Sequence, residues 1–312
     1  MNRIFRDIAG LCLTLALFLP LSVNATTLNG FRLSDPLIPA DQILRGGPPR
    51  DGIPAIDRPE FIKRSEATYL KDNDRILGLS LNGTRKAYPI AIMNWHEIVN
   101  DRFGRQSVAI TYCPLCGTGL AFDTSKIGTL GVSGLLYNSD VLLYDRRTES
   151  LWSQILMQAV AGKQKGQRLK PLLLTHTTWK AWRSQHPDTL VLSRKTGYMR
   201  DYDRDPYLGY ASSRRLYFPV ANRDNRYHAK EWVVGVEVDG HYKAYPFSEL
   251  EKVDIQPVKD RFQGTELQLL YDHTQQTVIV TNQDQIRIPA IQAFWFAWVA
   301  FHPDTEVFTV KP

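Results

Sequence analysis

Two stretches of the chain alternate apolar and polar side chains with the period of a β-strand, and each ends in a hairpin-turn dipeptide. Residues 76–81 and 233–238 show the alternation. Asn82-Gly83 follows the first stretch and Asp239-Gly240 follows the second, and both dipeptides favour two-residue hairpin turns. The pattern therefore predicts two antiparallel hairpins, each with a return strand that carries Lys-Ala-Tyr-Pro.

Further strands and a short helix are predicted after each hairpin. Residues 107–112 and 265–271 hold β-branched or apolar side chains typical of strands. Residues 178–185 and 294–301 predict short helices, with tryptophans three positions apart on one face and a proline just past the end.

The two hairpins also match in sequence, which indicates an internal repeat. Residues 78–89 read GLSLNGTRKAYP and residues 235–246 read GVEVDGHYKAYP. A second shared block, His-Pro-Asp-Thr, begins at His186 and again at His302. The similarity predicts an α+β, strand-rich fold of two related halves, each a small, mainly antiparallel sheet with a short helix.

The predicted organisation divides the chain into five segments. They are a signal peptide (1–25), an N-terminal extension (26–70), a first repeat (71–200), a connecting segment (201–232) and a second repeat (233–312). The first repeat carries an insertion at 123–165 and the candidate chemistry, so the second repeat is expected to play a supporting role.

The N-terminal residues are typical of a signal peptide. Arg3 and Arg6 precede an apolar run at residues 11–21, and Val23-Asn24-Ala25 supplies small residues before a cut. The run is too short to span a bilayer comfortably, and no later stretch approaches that length. We therefore expect a periplasmic protein, cleaved near Ala25, that does not span a membrane.

Composition and charge limit the classes of fold and partner that the sequence allows. A hydrophobic content of 43% with 11% aromatic residues predicts a packed core. The formal charge of +6 is spread along the chain without a basic run, which argues against a nucleic-acid partner. Of three cysteines, Cys12 lies within the predicted signal peptide, so the mature chain keeps two.

Those two cysteines lie in the turn Cys113-Pro114-Leu115-Cys116, followed by Gly117. Two thiolates at this spacing can bind one metal ion, as in a zinc knuckle. The spacing also suits a redox disulfide, although the glycine argues against the long helix of a thioredoxin-like site. A structural disulfide is the third alternative, and a four-residue loop would gain little chain entropy from it.

His96 is the predicted third ligand, because it lies about one strand upstream of the cysteines and is missing, with them, from the second repeat. Thiolate and imidazole ligands favour copper or zinc over magnesium or calcium. Other side chains could support the site, namely Tyr112, Asn138, Asp140 and Asp145.

Several longer motifs resemble those of a known family, the bacterial and archaeal domain of unknown function 3179. They lie at residues 46–57, 94–101, 111–118, 131–134, 136–140, 151–154 and 196–202. The family implies no settled activity, so the resemblance strengthens the Cys113, Cys116 and His96 site more than it specifies a reaction.

The prediction is an exported, periplasmic protein that binds copper or zinc through Cys113, Cys116 and His96. The alternatives are a metal-free thiol-disulfide redox protein and a partner-binding protein in which the cysteines form a structural disulfide. The sequence predicts no catalytic residue and no organic cofactor.

Overall fold

In the computed structural model, residues 26–310 are described, and the predicted signal peptide lies outside them. The first eleven strands are β1 (Thr26–Leu28), β2 (Phe31–Leu33), β3 (Ile43–Arg45), β4 (Phe61–Lys63), β5 (Arg75–Leu81), β6 (Thr84–Pro89), β7 (Ile98–Phe103), β8 (Gln106–Cys113), β9 (Thr118–Asp123), β10 (Leu130–Tyr137) and β11 (Asp140–Asp145). The next twelve are β12 (Leu151–Ser153), β13 (Gln158–Ala161), β14 (Lys170–Leu172), β15 (Leu174–Thr178), β16 (Leu190–Leu192), β17 (Trp232–Val238), β18 (His241–Pro246), β19 (Val258–Phe262), β20 (Thr265–Asp272), β21 (Thr277–Asn282), β22 (Ala290–Phe294) and β23 (Glu306–Val307).

Helices are few and short. They are α1 (Ile90–His96), α2 (Trp179–Gln185), α3 (Phe247–Leu250) and α4 (Trp295–Phe301), with 3-10 turns at Ala40–Gln42 and Arg64–Glu66. Within residues 26–310, no helix is long and apolar enough to cross a membrane.

The strands beyond the β1–β2 hairpin form five small sheets arranged as a five-bladed β-propeller. In order of hydrogen-bonded neighbours, they are sheet A (β13-β12-β11-β10-β3), sheet B (β14-β9-β8-β7), sheet C (β15-β5-β6-β16-β4), sheet D (β22-β17-β18-β23) and sheet E (β19-β20-β21). Strands make up 42% of the described residues, and helices, including the 3-10 turns, make up 11%.

The predicted α+β fold of two related halves is therefore wrong. The matching sequence blocks form the β5–β6 and β17–β18 hairpins, which are the central pairs of only two of the five blades. Residues 123–165, expected as an insertion in one half, instead supply four strands of another blade, sheet A. Two blades of a propeller can share one sheet design, so similarity between their sequences resembles a duplication of the whole chain.

Tryptophans of the matching blocks pack against the sheets of their own blades. A Cβ at Gly78 would lie 2.4 Å from the ring of Trp182, so only glycine lets the indole approach the sheet. The indole N–H donates to Thr189 Oγ1 at 2.8 Å, which satisfies the buried polar group. Gly235 and Trp298 repeat this close approach in sheet D.

Candidate metal centre

The two cysteines lie in the turn between β8 and β9. Cys113 is the last residue of β8 and pairs with Thr118, the first residue of β9. Cys116 N–H donates to the Cys113 carbonyl at 3.2 Å, and Gly117 adopts a φ of +67°, which favours glycine. The tight turn places two buried thiols side by side, and they are not joined by a disulfide.

A second turn, between β10 and β11, meets the cysteines from the neighbouring blade. Tyr137 pairs with Asp140, and the intervening Asn138 and Ser139 have φ values of +50° and +65°. Positive φ at both central residues is the geometry of a type I′ hairpin. The turn directs the Ser139 carbonyl at both sulfurs, 3.8 Å from Cys113 Sγ and 3.4 Å from Cys116 Sγ.

Contacts with distant segments hold this hairpin turn in place. Asn138 Nδ2 donates to the Ala300 carbonyl at 3.0 Å, and Asn138 Oδ1 accepts from Ala221 N–H at 2.8 Å. Ser139 Oγ donates to the Phe218 carbonyl at 2.9 Å. Asn138, predicted as a supporting residue, therefore positions the turn and does not reach the sulfurs through a hydrogen bond.

Asp140 completes a three-residue cluster with the cysteines. One ligand atom from each of Cys113, Cys116 and Asp140 lies within 4.8 Å of the others, and all three residues are buried. Asp140 Oδ2 accepts from Ile155 N–H at 3.1 Å, whereas Oδ1 has no hydrogen-bond partner among the described residues. Buried polar atoms are nearly always paired, so this oxygen is available to a cation or to the S–H group of a neighbouring cysteine.

Burial disfavours the ionised forms of the acidic side chains in and around the cluster. Burial raises the pKa of Asp140 to about 7, and it raises the pKa of both the Cys113 and the Cys116 thiols. Burial and the charge on Asp140 raise the pKa of the neighbouring Glu97 to about 8. Within residues 26–310, no basic side chain forms an ion pair with Asp140. A divalent ion would supply the charge that stabilises these acidic groups in their ionised forms.

His96 is not part of the cluster. Its Nδ1 lies 2.7 Å from the Pro54 carbonyl and its Nε2 lies 2.6 Å from the Tyr202 hydroxyl. Burial lowers the pKa of His96 to about 4, so the ring is neutral near pH 7. The carbonyl can only accept, so Nδ1 carries the proton and Nε2 accepts from Tyr202. With both nitrogens engaged, His96 is replaced by Asp140 as the third candidate ligand.

The other two predicted supporting residues have different surroundings. Asp145 lies at the far end of β11, where its carboxylate accepts from Thr148 N–H at 2.6 Å and from Trp152 Nε1 at 3.0 Å. These bonds stabilise sheet A and saturate the carboxylate. Tyr112 is buried beside the cysteines, and burial together with the charge of Cys113 raises the pKa of its phenol.

Two further features around the cluster were not predicted as site residues. Glu97 is buried and holds a left-handed backbone, with φ of +57°, just after α1. In the sequence, Glu97 was marked only by its position next to His96, a predicted ligand. Tyr210, from the segment expected only to connect the repeats, has a buried hydroxyl without a partner in the described part of the chain, and Lys230 Nζ lies 3.9 Å from its ring centroid.

The donor set fits zinc. Thiolate and carboxylate are both common ligands of Zn²⁺, and three protein ligands leave one tetrahedral position open. Cu⁺ prefers soft sulfur ligands, so the carboxylate makes copper a poorer match. Mg²⁺ and Ca²⁺ prefer oxygen ligands, which the thiols do not supply.

The model of a protein family of unknown function, DUF3179, matches residues 50–287. The match covers most of the chain and includes Glu97, both cysteines and Asp140, and the chain belongs to this family. No curated protein and no solved structure matches the chain.

Proposed function

We propose that this member of the DUF3179 family is a metalloprotein that binds Zn²⁺ through Cys113, Cys116 and Asp140. The observation that carries the proposal is the buried cluster of Cys113, Cys116 and Asp140, in which one ligand atom of each residue lies within 4.8 Å of the others. Asp140 Oδ1 has no hydrogen-bond partner among the described residues. Zinc would pair with this oxygen and stabilise both thiolates, and it needs no redox change to do so.

Thiol-disulfide exchange is the second candidate, because the two sulfurs lie close enough together to react with a small movement. Two features count against it. Both thiols are buried, and burial raises their pKa, whereas reactive cysteines are partly exposed and have a lowered pKa. Zinc ligation would also protect both thiols from oxidation outside the cytoplasm.

A comparison of two aspartates on β11 tests the proposal. Wild-type protein should bind one equivalent of Zn²⁺, measured by elemental analysis, and Co²⁺ should give a thiolate-to-cobalt charge-transfer band. Asp140→Asn should weaken Zn²⁺ binding at least tenfold, because the amide supplies no charge to the ion. Asp145→Asn is the control: it removes an equally buried carboxylate and should lower stability while keeping the metal.

Three results would contradict the proposal. They are equal zinc binding by wild type and Asp140→Asn, loss of zinc in Asp145→Asn while that variant stays folded, and a metal-independent cycle of disulfide reduction and oxidation. In the last case the redox alternative would replace the zinc site.

Export to the periplasm is part of the same proposal. It is supported by the charged start, apolar run and small residues of the first 25 positions. Full-length protein expressed in a Gram-negative host should appear in the periplasmic fraction with an N-terminus near Thr26. An intact N-terminus on cytoplasmic protein would contradict export, and it would leave the zinc proposal untouched.

A further inference from the structure

A cavity of about 200 Å³ lies where the five sheets face one another. Every sheet contributes to its wall: Leu120 from sheet B, His176 from sheet C, Val234 from sheet D, Val280 from sheet E, and Ile155 from the loop between two strands of sheet A. A cavity of about 150 Å³ in another protein holds benzene, so this volume suits a small organic molecule.

Most of the wall is apolar. Leucine, isoleucine, valine and proline side chains dominate it, with Trp298 and Tyr242 as aromatic elements. Two lining histidines add no charge near pH 7, because burial lowers the pKa of both His176 and His302 to about 4. Arg168 and Glu237 approach each other at 3.8 Å, so these two charges offset one another.

Two polar side chains that line the cavity, Gln292 and Arg287, have donors that are incompletely paired. Gln292 is only 6% exposed, and its Nε2 has no acceptor within the described residues. The half-buried Arg287 donates to Thr175 Oγ1 at 3.3 Å, and it forms no ion pair with any carboxylate in residues 26–310. An amide donor without an acceptor and a guanidinium without a carboxylate partner can both bind a negatively charged acceptor.

We infer that the cavity binds a small organic carboxylate whose body is apolar. Its carboxylate would accept from the Arg287 guanidinium and the Gln292 amide, and its hydrocarbon part would contact the leucine, isoleucine and valine wall. Ligand sites commonly combine an apolar wall with a few polar groups that fix orientation. The inference does not depend on the zinc site, which uses other residues.

Calorimetry with linear carboxylates from butanoate to decanoate, each paired with the alcohol of equal length, tests the ligand class. Affinity should rise about fourfold per added methylene until the chain exceeds the cavity, and then fall. Each alcohol should bind at least about tenfold more weakly than its acid, because it cannot pair with the guanidinium charge. The series is run with and without Zn²⁺, so that any effect of the metal on carboxylate binding is detected.

Four variants test whether the carboxylate binds in this cavity. Gln292→Leu and Arg287→Gln should each weaken carboxylate binding about tenfold or more. Arg261→Gln is the matched control, since this exposed arginine of sheet E does not line the cavity. Ala290→Phe should fill the cavity and abolish binding, with folding checked by circular dichroism. Three results would overturn the inference: no binding of any acid at millimolar concentration, equal binding of acids and alcohols, or undiminished binding by both Arg287→Gln and Gln292→Leu.

Discussion

Lowering the pH by one unit should weaken Zn²⁺ binding by about a hundredfold, since binding must displace a proton from each of two thiols. Burial raises the pKa of both Cys113 and Cys116, so both are protonated in the metal-free protein at pH 7 to 8. Below pH 7 the dependence should steepen toward about a thousandfold per unit. There Asp140, whose pKa is raised to about 7, also binds a proton that the metal must displace.

Proton release measured by calorimetry in two buffers of different ionisation enthalpy checks this dependence. About two protons should leave per zinc bound at pH 8, and the count should approach three at pH 6. Glu97, with a pKa of about 8, would add to the count, so Glu97→Gln is the control that removes its share. Cys113→Ser should lower the count by one. Binding that is independent of pH would rule out thiolate ligation.

The local elements were predictable because they depend on short-range patterns. The hairpin predicted after residues 76–81 is β5–β6, and Asn82 at its turn adopts the positive φ that the dipeptide implies. The helices predicted at 178–185 and 294–301 are α2 and α4. The arrangement of sheets was not predictable, because it depends on packing among five blades, and the matching sequence blocks occur in only two of them.

The site was predictable only where its residues are close in the chain. Cys113 and Cys116 are three positions apart in one turn, so a motif reveals them. Asp140 follows 24 positions after Cys116 and joins it because the β10–β11 hairpin lies against the β8–β9 turn. His96 is closer to Cys113 in sequence, yet its ring faces Pro54 and Tyr202. Sequence separation alone therefore did not identify the side chain that lies next to the sulfurs.

Zinc should reverse the order of stability of wild type and Asp140→Asn at pH 8. Without metal, ionised Asp140 is buried with one unpaired oxygen, and its raised pKa means that folding becomes less favourable as pH rises from about 4 to about 7. Asn carries no charge, and its amide oxygen can still accept from Ile155 N–H. The metal-free variant should therefore be as stable as wild type or more stable, with a free energy of unfolding higher by up to a few kcal/mol.

With Zn²⁺ at about a thousand times its dissociation constant, wild type should gain about 4 kcal/mol, or roughly 8 °C in Tm for a chain of this length. Asp140→Asn should gain far less, because its amide is a poor ligand. Thermal unfolding with excess zinc and with a chelator measures both differences, and Asp145→Asn should melt below wild type under both conditions, since it loses bonds to Thr148 and Trp152. If zinc raises the Tm of Asp140→Asn as much as that of wild type, the ion stabilises the protein at a site that does not use Asp140.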